Sequence, residues 1–216
     1  MPATTAPNSD VNENESEKTL ELLDAVHANG ERSQRSLASE LGIALGLTNA
    51  YLKRCIRKGW IKARQAPPNR YAYYLTPKGF AEKSRLTTDY LRNSLQFYRR
   101  ARSEIGDILD SASAHGWRRL ALVGRGDLAE ITMLCAMQHE VDIVGIVDPS
   151  STEPQFMDRP VVANIGELED VDAAILTDLR SPQATYERYA QQVPPGRLLA
   201  PPLLKITSND LLGRQA

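Results

Sequence analysis

Cysteine is close to absent from this 216-residue chain, which holds only Cys55 and Cys135. Two cysteines build neither a disulfide framework nor a cysteine-based zinc site. Histidine is scarce as well: His27, His115 and His139 stand isolated in sequence. No apolar run approaches the ~20 residues of a membrane span. The opening residues, MPATTAPNSDVNENESE, have neither the basic nor the apolar stretch of a secretion signal. Metal-ligand spacings, a nucleophile elbow and a phosphate-loop lysine are all missing. The expectation is a soluble cytoplasmic protein with no membrane partner, no metal and no catalytic residues.

Net charge is lacking too, since 26 Lys+Arg against 27 Asp+Glu leave −1. That neutrality is a sum over unlike parts. Residues 1–16 carry Asp10, Glu13 and Glu15 and no base. Residues 17–115 carry 17 Lys+Arg against 10 Asp+Glu, and residues 116–216 carry 9 against 14. Between Glu40 and Glu82 there is no acid, while Lys53, Arg54, Arg57, Lys58, Lys62, Arg64, Arg70 and Lys78 all fall there. Uncompensated cations at that density attract phosphates and release counterions on binding. A merely solvated helix face is the competing reading.

Periodicity divides the chain further. Residues 1–16 are polar and Pro-containing and read as a disordered tail. From Glu17 the apolar positions Leu20, Leu22, Leu23 and Val26 repeat at helical spacing up to Asn29-Gly30. Ser33 is placed to cap a helix from Gln34 to Leu41, stopped by Gly42, and a third helix runs from about Ala44 to Lys58. Residues 60–64 and 70–75 read as two strands around the turn Gln65-Ala66-Pro67-Pro68-Asn69. Thr76 and Pro77 open a long helix whose apolar series, from Leu86 through Tyr90, Leu91, Leu95, Tyr98, Ala101 and Ile105 to Leu109, calls for a second surface. A partner helix from a second subunit supplies one economically.

Helix, tight turn, helix and hairpin make a winged helix-turn-helix, expected over residues 17–85 with a linker or dimerisation helix over 86–115. Leu37, Ala38 and Leu41 would pack the first helix, and Leu52 and Ile56 would anchor the second. Ala44, Leu45, Asn49, Lys53, Arg54 and Arg57 are then the expected exposed face. Ser33 and Gln34 start the preceding helix, and Arg64 and Arg70 flank the wing tip. Asparagine bonds adenine edges, while Arg and Lys reach guanine or phosphate, so these residues point to double-stranded DNA. Cys55 lies on the same helix, with a buried packing role and an oxidation switch as its two readings.

The stretches SQRSLASELGI, YLKRCIRKGWIKA and YYLTPKGFAEKSRLTTDYL resemble the MarR superfamily, and more narrowly its exopolysaccharide-associated regulators. The resemblance implies a homodimer on a palindromic operator, with the long helix in the dimer interface.

After Gly116 strands alternate with helices: 120–123, 141–147, 160–162, 173–176 and 197–199 are strand patterns, and 127–138 and 183–192 are helical. Such alternation implies a parallel sheet flanked by helices over residues 116–216, and hence an α/β chain overall. Gly124-Arg125-Gly126-Asp127-Leu128-Ala129 follows the first strand and fits G-x-G-x-x-A, a loop that lets a pyrophosphate approach the backbone. Asp148 ends the next strand, where an acid bonds a ribose hydroxyl. Asp127 cuts against phosphate by its charge, and Arg125 either offsets it at the ligand or pairs with it. An empty structural fold remains the alternative.

The runs LALVGRGDLAE, IVGIVDPSS and RPVVANIGELEDVDAAILTD resemble the Rossmann domain of NADH-reading winged-helix repressors. They are similar also to the small Rossmann domains that bind nucleotide sugars. Either likeness implies a small nucleotide-type effector, NAD(H) or a nucleotide sugar, at Gly124, Arg125, Gly126, Asp127, Leu128, Asp148, Pro149, Ser150 and Thr177. Residues 150–159 would lie beside it. The expected protein is a sensor rather than an enzyme, and a nucleotide-dependent enzyme with an accessory winged helix is the competing class.

Overall fold

A computed structural model describes residues 8–30, 33–66 and 70–207. The chain separates into two compact units that divide between Ser94 and Leu95, inside one helix.

The first unit opens with α1 (Asn8–Ala28), so the helix begins ahead of Glu17 and corrects the expected coil over 8–16. Glu15 on this helix is ion-paired with Arg54 of α3, a contact distant in the chain that the composition of the segment does not announce. α2 (Gln34–Glu40) is capped by Ser33, whose hydroxyl accepts from the Ser36 N–H. Gly42 turns the chain at φ +62°, a left-handed value that favours glycine, and α3 (Leu45–Arg57) follows. β1 (Ile61–Ala66) and β2 (Arg70–Leu75) pair antiparallel from Ile61↔Leu75 to Ala66↔Arg70, forming the wing. The expected turn residues Gln65 and Ala66 belong to β1; Pro67, Pro68 and Asn69 lie outside the described residues.

One apolar core joins these pieces: Leu22 and Leu23 from α1, Leu37 from α2, Leu52 and Cys55 from α3, Ile61 from β1, Tyr73 from β2 and Leu86. Each fully buried leucine contributes on the order of 1.5–3 kcal/mol. Thr76 ties the wing to the next helix, α4 (Pro77–Ala114), by donating to the Gly59 carbonyl at 2.6 Å and accepting from the Gly79 N–H at 3.0 Å. A Cβ on Gly79 would stand 2.0 Å from the Trp60 carbonyl oxygen, so glycine there permits the close approach.

The apolar series of α4 does not await a single partner. Leu86 is buried in the first core, and Ala101, Ile105, Leu109 and Ala112 are buried in the second. Between these two buried stretches Tyr90, Leu91, Leu95 and Tyr98 are exposed.

In the second unit β3 (Arg119–Val123), β4 (Asp142–Val147), β6 (Arg159–Val162), β7 (Ala173–Leu176) and β8 (Leu198–Leu199) form a parallel sheet. A short β5 (Gln155–Phe156), not foreseen from sequence, pairs antiparallel with β6. The strand order is β5-β6-β4-β3-β7-β8. α5 (Asp127–Ala136) and α6 (Pro182–Tyr189) complete the unit. Leu120 to Val123 and Ala174 to Leu176 are wholly buried, as central parallel strands require.

Candidate functional site

The first unit presents an exposed face of α3, and the second a cleft beside β3. On α3 the core-facing positions are Thr48, Leu52 and Cys55, at helical spacing. Ile56, expected as an anchor, sits one position beyond that stripe and is 39% exposed. The opposite side carries Gly46, Leu47, Ala50, Lys53 and Arg57, all exposed. Lys53, Arg57 and, on β1, Lys62 and Arg64 are the cations this surface presents. No acid occupies the first turn of α3.

Other expected DNA contacts stand differently. Arg54 is half-buried and forms an ion pair with Glu15 of α1, so it is not a free cation. Asn49 is half-buried and its Oδ1 is sealed from solvent without a hydrogen-bond partner. The Ser33 hydroxyl is engaged in its cap, and Gln34 donates from Nε2 to the Tyr73 hydroxyl at 2.9 Å. Ala44 is exposed at the start of α3. The Arg70 side chain lies outside the described residues. Sequence reasoning missed Gly46, Leu47 and Ala50. Their signal was the helical phase set by Thr48, Leu52 and Cys55, which turns them outward.

Cys55 is 1% exposed, and burial pushes its thiol up to about 11, against a lesser lowering by Arg54. The buried packing role is therefore the one the structure supports.

In the second unit the glycine loop sits where the parallel order reverses around β3, at the carboxyl ends of the strands. Ligands of open α/β sheets bind at that position. Gly124 has φ +105°, and a Cβ there would lie 2.5–2.6 Å from the Asp178 backbone and Cβ. Gly126 has φ +144° and open space around it. The Thr177 hydroxyl, fully buried, donates to the Gly124 carbonyl at 2.5 Å and locks the loop to the end of β7. A cleft of about 490 Å³ opens here, lined by Arg125, Gly126, Asp127, Asp148, Ser150, Ser151, Thr152, Thr177, Leu179 and Arg180.

Asp148 is buried and accepts from the Ser150 hydroxyl at 2.6 Å and the Ser150 N–H at 2.9 Å. Burial raises its pKa, but the Ser150 bonds, Arg180 and the Arg125 backbone more than offset this, leaving it below the usual carboxylate value. Arg180 reaches Asp148 at 3.3 Å and Asp178 at 3.8 Å. Arg125 turns away from Asp127: it pairs with Glu153 at 2.6 Å and lies over the Phe156 ring.

Three expectations need correction here. The Leu128 side chain is wholly buried in the core because its position on α5 faces the sheet. Pro149 is exposed but does not line the cleft. Of residues 150–159, Ser150 to Thr152 reach the cleft, whereas Met157 to Arg159 border another groove beside Asp142, at the start of β4. The hairpin of β5 and β6 carries them there. Arg180 was missed, although its place just after a strand and before a Pro-led helix marks it as a loop residue at the sheet's carboxyl edge.

Among the described residues no group of His, Cys, Asp or Glu is arranged to hold a metal ion. No described helix is long and apolar enough to cross a membrane.

The geometry of the first unit agrees with a family match. Residues 15–62 match the family described as winged helix-turn-helix DNA-binding. No curated protein matches the chain. Among solved structures, MepR of Staphylococcus aureus, a transcription regulator of a multidrug efflux pump, is 20% identical with a TM-score of 0.32, covering 36% of this chain and 61% of that one. FabT of Streptococcus pneumoniae in complex with DNA is 22% identical with a TM-score of 0.31, covering 37% and 56%. MarR of E. coli is 16% identical with a TM-score of 0.31, covering 39% and 77%. A protein of unknown function from Listeria innocua is 22% identical with a TM-score of 0.30, covering 33% and 50%. The chain spans half to about two thirds of the length of the first structures it matches.

Proposed function

We propose that this protein is a DNA-binding transcription regulator, working as a homodimer on a palindromic operator, whose second unit senses a nucleotide-type effector. The observation that carries the DNA reading is the coincidence of the acid-free stretch with an exposed face of α3 and its wing. Lys53, Arg57, Lys62 and Arg64 project there with no acid among them. The exposed Tyr90, Leu91, Leu95 and Tyr98 on α4 supply the apolar surface for pairing two copies.

The sensing reading rests on the cleft over Gly126. Its parallel strands follow the order 3-2-1-4-5 of a Rossmann-type sheet, and its open glycine leaves the start of α5 accessible to a pyrophosphate. NAD(H) and a nucleotide sugar are the two candidate effectors. The sequence likeness to exopolysaccharide-associated regulators makes surface-polysaccharide genes the proposed target.

The test is operator binding by the full chain, using fragments selected from a genomic library, with and without NADH or UDP-sugars. Binding should weaken steeply with salt. Effector and DNA should alter each other's affinity by the same factor. Failure to select any DNA would sink the first part of this reading. Operator affinity unmoved by every nucleotide would sink the second.

A further inference from the structure

The first residues of a recognition helix are the ones that meet base edges. On α3 these residues carry almost no hydrogen-bonding side chain. Gly46, Leu47 and Ala50 are exposed on the outward face, and Leu47 is 48% exposed. Of the two polar residues of that stretch, Thr48 is fully buried and donates to the Ala44 carbonyl, and the half-buried Asn49 has its Oδ1 enclosed and so offers no acceptor outward. Outward polar groups begin only at Lys53, two turns into the helix. A single exposed leucine is ordinary; what sets this stretch apart is that Leu47, Gly46 and Ala50 leave it without any exposed polar side chain.

We infer that Leu47 and Ala50 read the 5-methyl groups of thymines in the major groove, and so determine the base preference of this helix. The inference rests on the DNA-binding reading above. Thymine is the base that presents an apolar group in that groove. Leu47 and Ala50, three residues apart, lie side by side on the helix surface. No atom lies within 4 Å of a Cβ built on Gly46, so the backbone beside them is bare and can approach the base pairs closely. The surroundings match the duplex in charge: α3 has no acid in its first turn and carries the exposed Lys53 and Arg57 towards its end. A protein partner for the same apolar face would gain nothing from that cationic frame unless it were itself acidic.

The experiment uses the full chain and the best fragment selected from a genomic library. Each thymine is replaced in turn by deoxyuridine, which removes the methyl group and leaves every hydrogen-bonding atom. At one or two positions per half-site the affinity should fall about fourfold, the size of one buried methyl or methylene group. At one of those positions Leu47→Ala should bind the thymine and deoxyuridine duplexes equally, any second position being the one under Ala50, and the salt slope should stay that of the wild type, since no phosphate contact is lost. Leu47 is exposed, so the variant should retain the wild-type unfolding temperature.

Uniform tolerance of deoxyuridine at all positions, with operator binding intact, overturns the methyl reading and leaves the DNA-binding reading standing. Persistence of the discrimination in Leu47→Ala overturns the assignment to Leu47. A change of subunit count in Leu47→Ala with unchanged DNA affinity assigns the face to a protein contact and overturns the inference. If no fragment is selected at all, the DNA-binding reading fails first, and this inference with it.

Discussion

Arg54 of α3 is paired with Glu15 of α1, so a cation on that helix is held by an acid of the N-terminal helix. Both side chains are about a third exposed, and an ion pair of that kind contributes about 0.2–1 kcal/mol. Its consequence for binding is larger than its consequence for stability. Arg54→Ala should leave operator affinity near wild type, whereas Lys53→Ala and Arg57→Ala should each weaken it. Each of those two should also reduce the slope of log affinity against log salt by about one. Fluorescence anisotropy over a salt series checks this, and a full phosphate-type loss in Arg54→Ala would show that Glu15 releases the arginine on DNA.

The two loop glycines should separate packing from binding. At Gly124 an added methyl meets the Asp178 backbone at 2.5 Å, with a left-handed φ in addition. Gly124→Ala should therefore destabilise the second unit by about 2 kcal/mol or more. At Gly126 nothing lies within 4 Å, and the cost is limited to the strain of φ +144°, about 1–3 kcal/mol. On the proposed sensing role, Gly126→Ala should fold and yet lose nucleotide binding, because its methyl stands in the mouth of the cleft. Thermal unfolding and calorimetric titration of both variants distinguish the two outcomes.

How far these surfaces were legible in the sequence varied with the physics involved. Leu22, Leu37 and Leu52 announce their burial through helical spacing, and Ser33, Gly42 and Thr76 announce turns and caps through local chemistry. The sheet was equally plain, because β3 and β7 are short apolar runs. What stayed hidden depended on partners distant in the chain. Nothing near Arg54 signals Glu15, and nothing near Arg125 signals Glu153. The helical phase of α3 was misjudged by one position, since Ile56 is as apolar as Leu52 and only packing decides between them. On α4 one uninterrupted apolar series served two cores, a division periodicity alone does not carry.

Cys55 should be inert in the folded protein. Its thiol is 1% exposed and pushed up to about 11, so the thiolate is a negligible fraction at neutral pH. A thiol reagent at pH 8 should leave Cys55 unmodified in native protein and label it after denaturation. Mild peroxide should not change operator affinity. Rapid native labelling located to Cys55 by mass spectrometry would restore the oxidation switch.

Acid should act on the second unit through Asp148. Its carboxylate is buried against Ser150 and bridged by Arg180, and it is held below the usual value despite the opposing effect of burial. A lowered folded-state pKa means that the unfolded chain binds the proton more readily. The stabilisation is then fully present above the unfolded pKa of about 3.9 and is lost as pH falls through the lower folded value. Asp148→Asn should cost about 1.5–3 kcal/mol at pH 7, the range for a hydrogen bond to a charged group. The gap between wild type and variant should stay constant from pH 7 to about 5 and close below about pH 4. Trp60→Phe leaves Trp117 as the one tryptophan, so its fluorescence follows the second unit alone during urea unfolding at each pH. A gap that persists unchanged to pH 2 would mean the carboxylate charge contributes nothing there, and that Asp148 acts by shape.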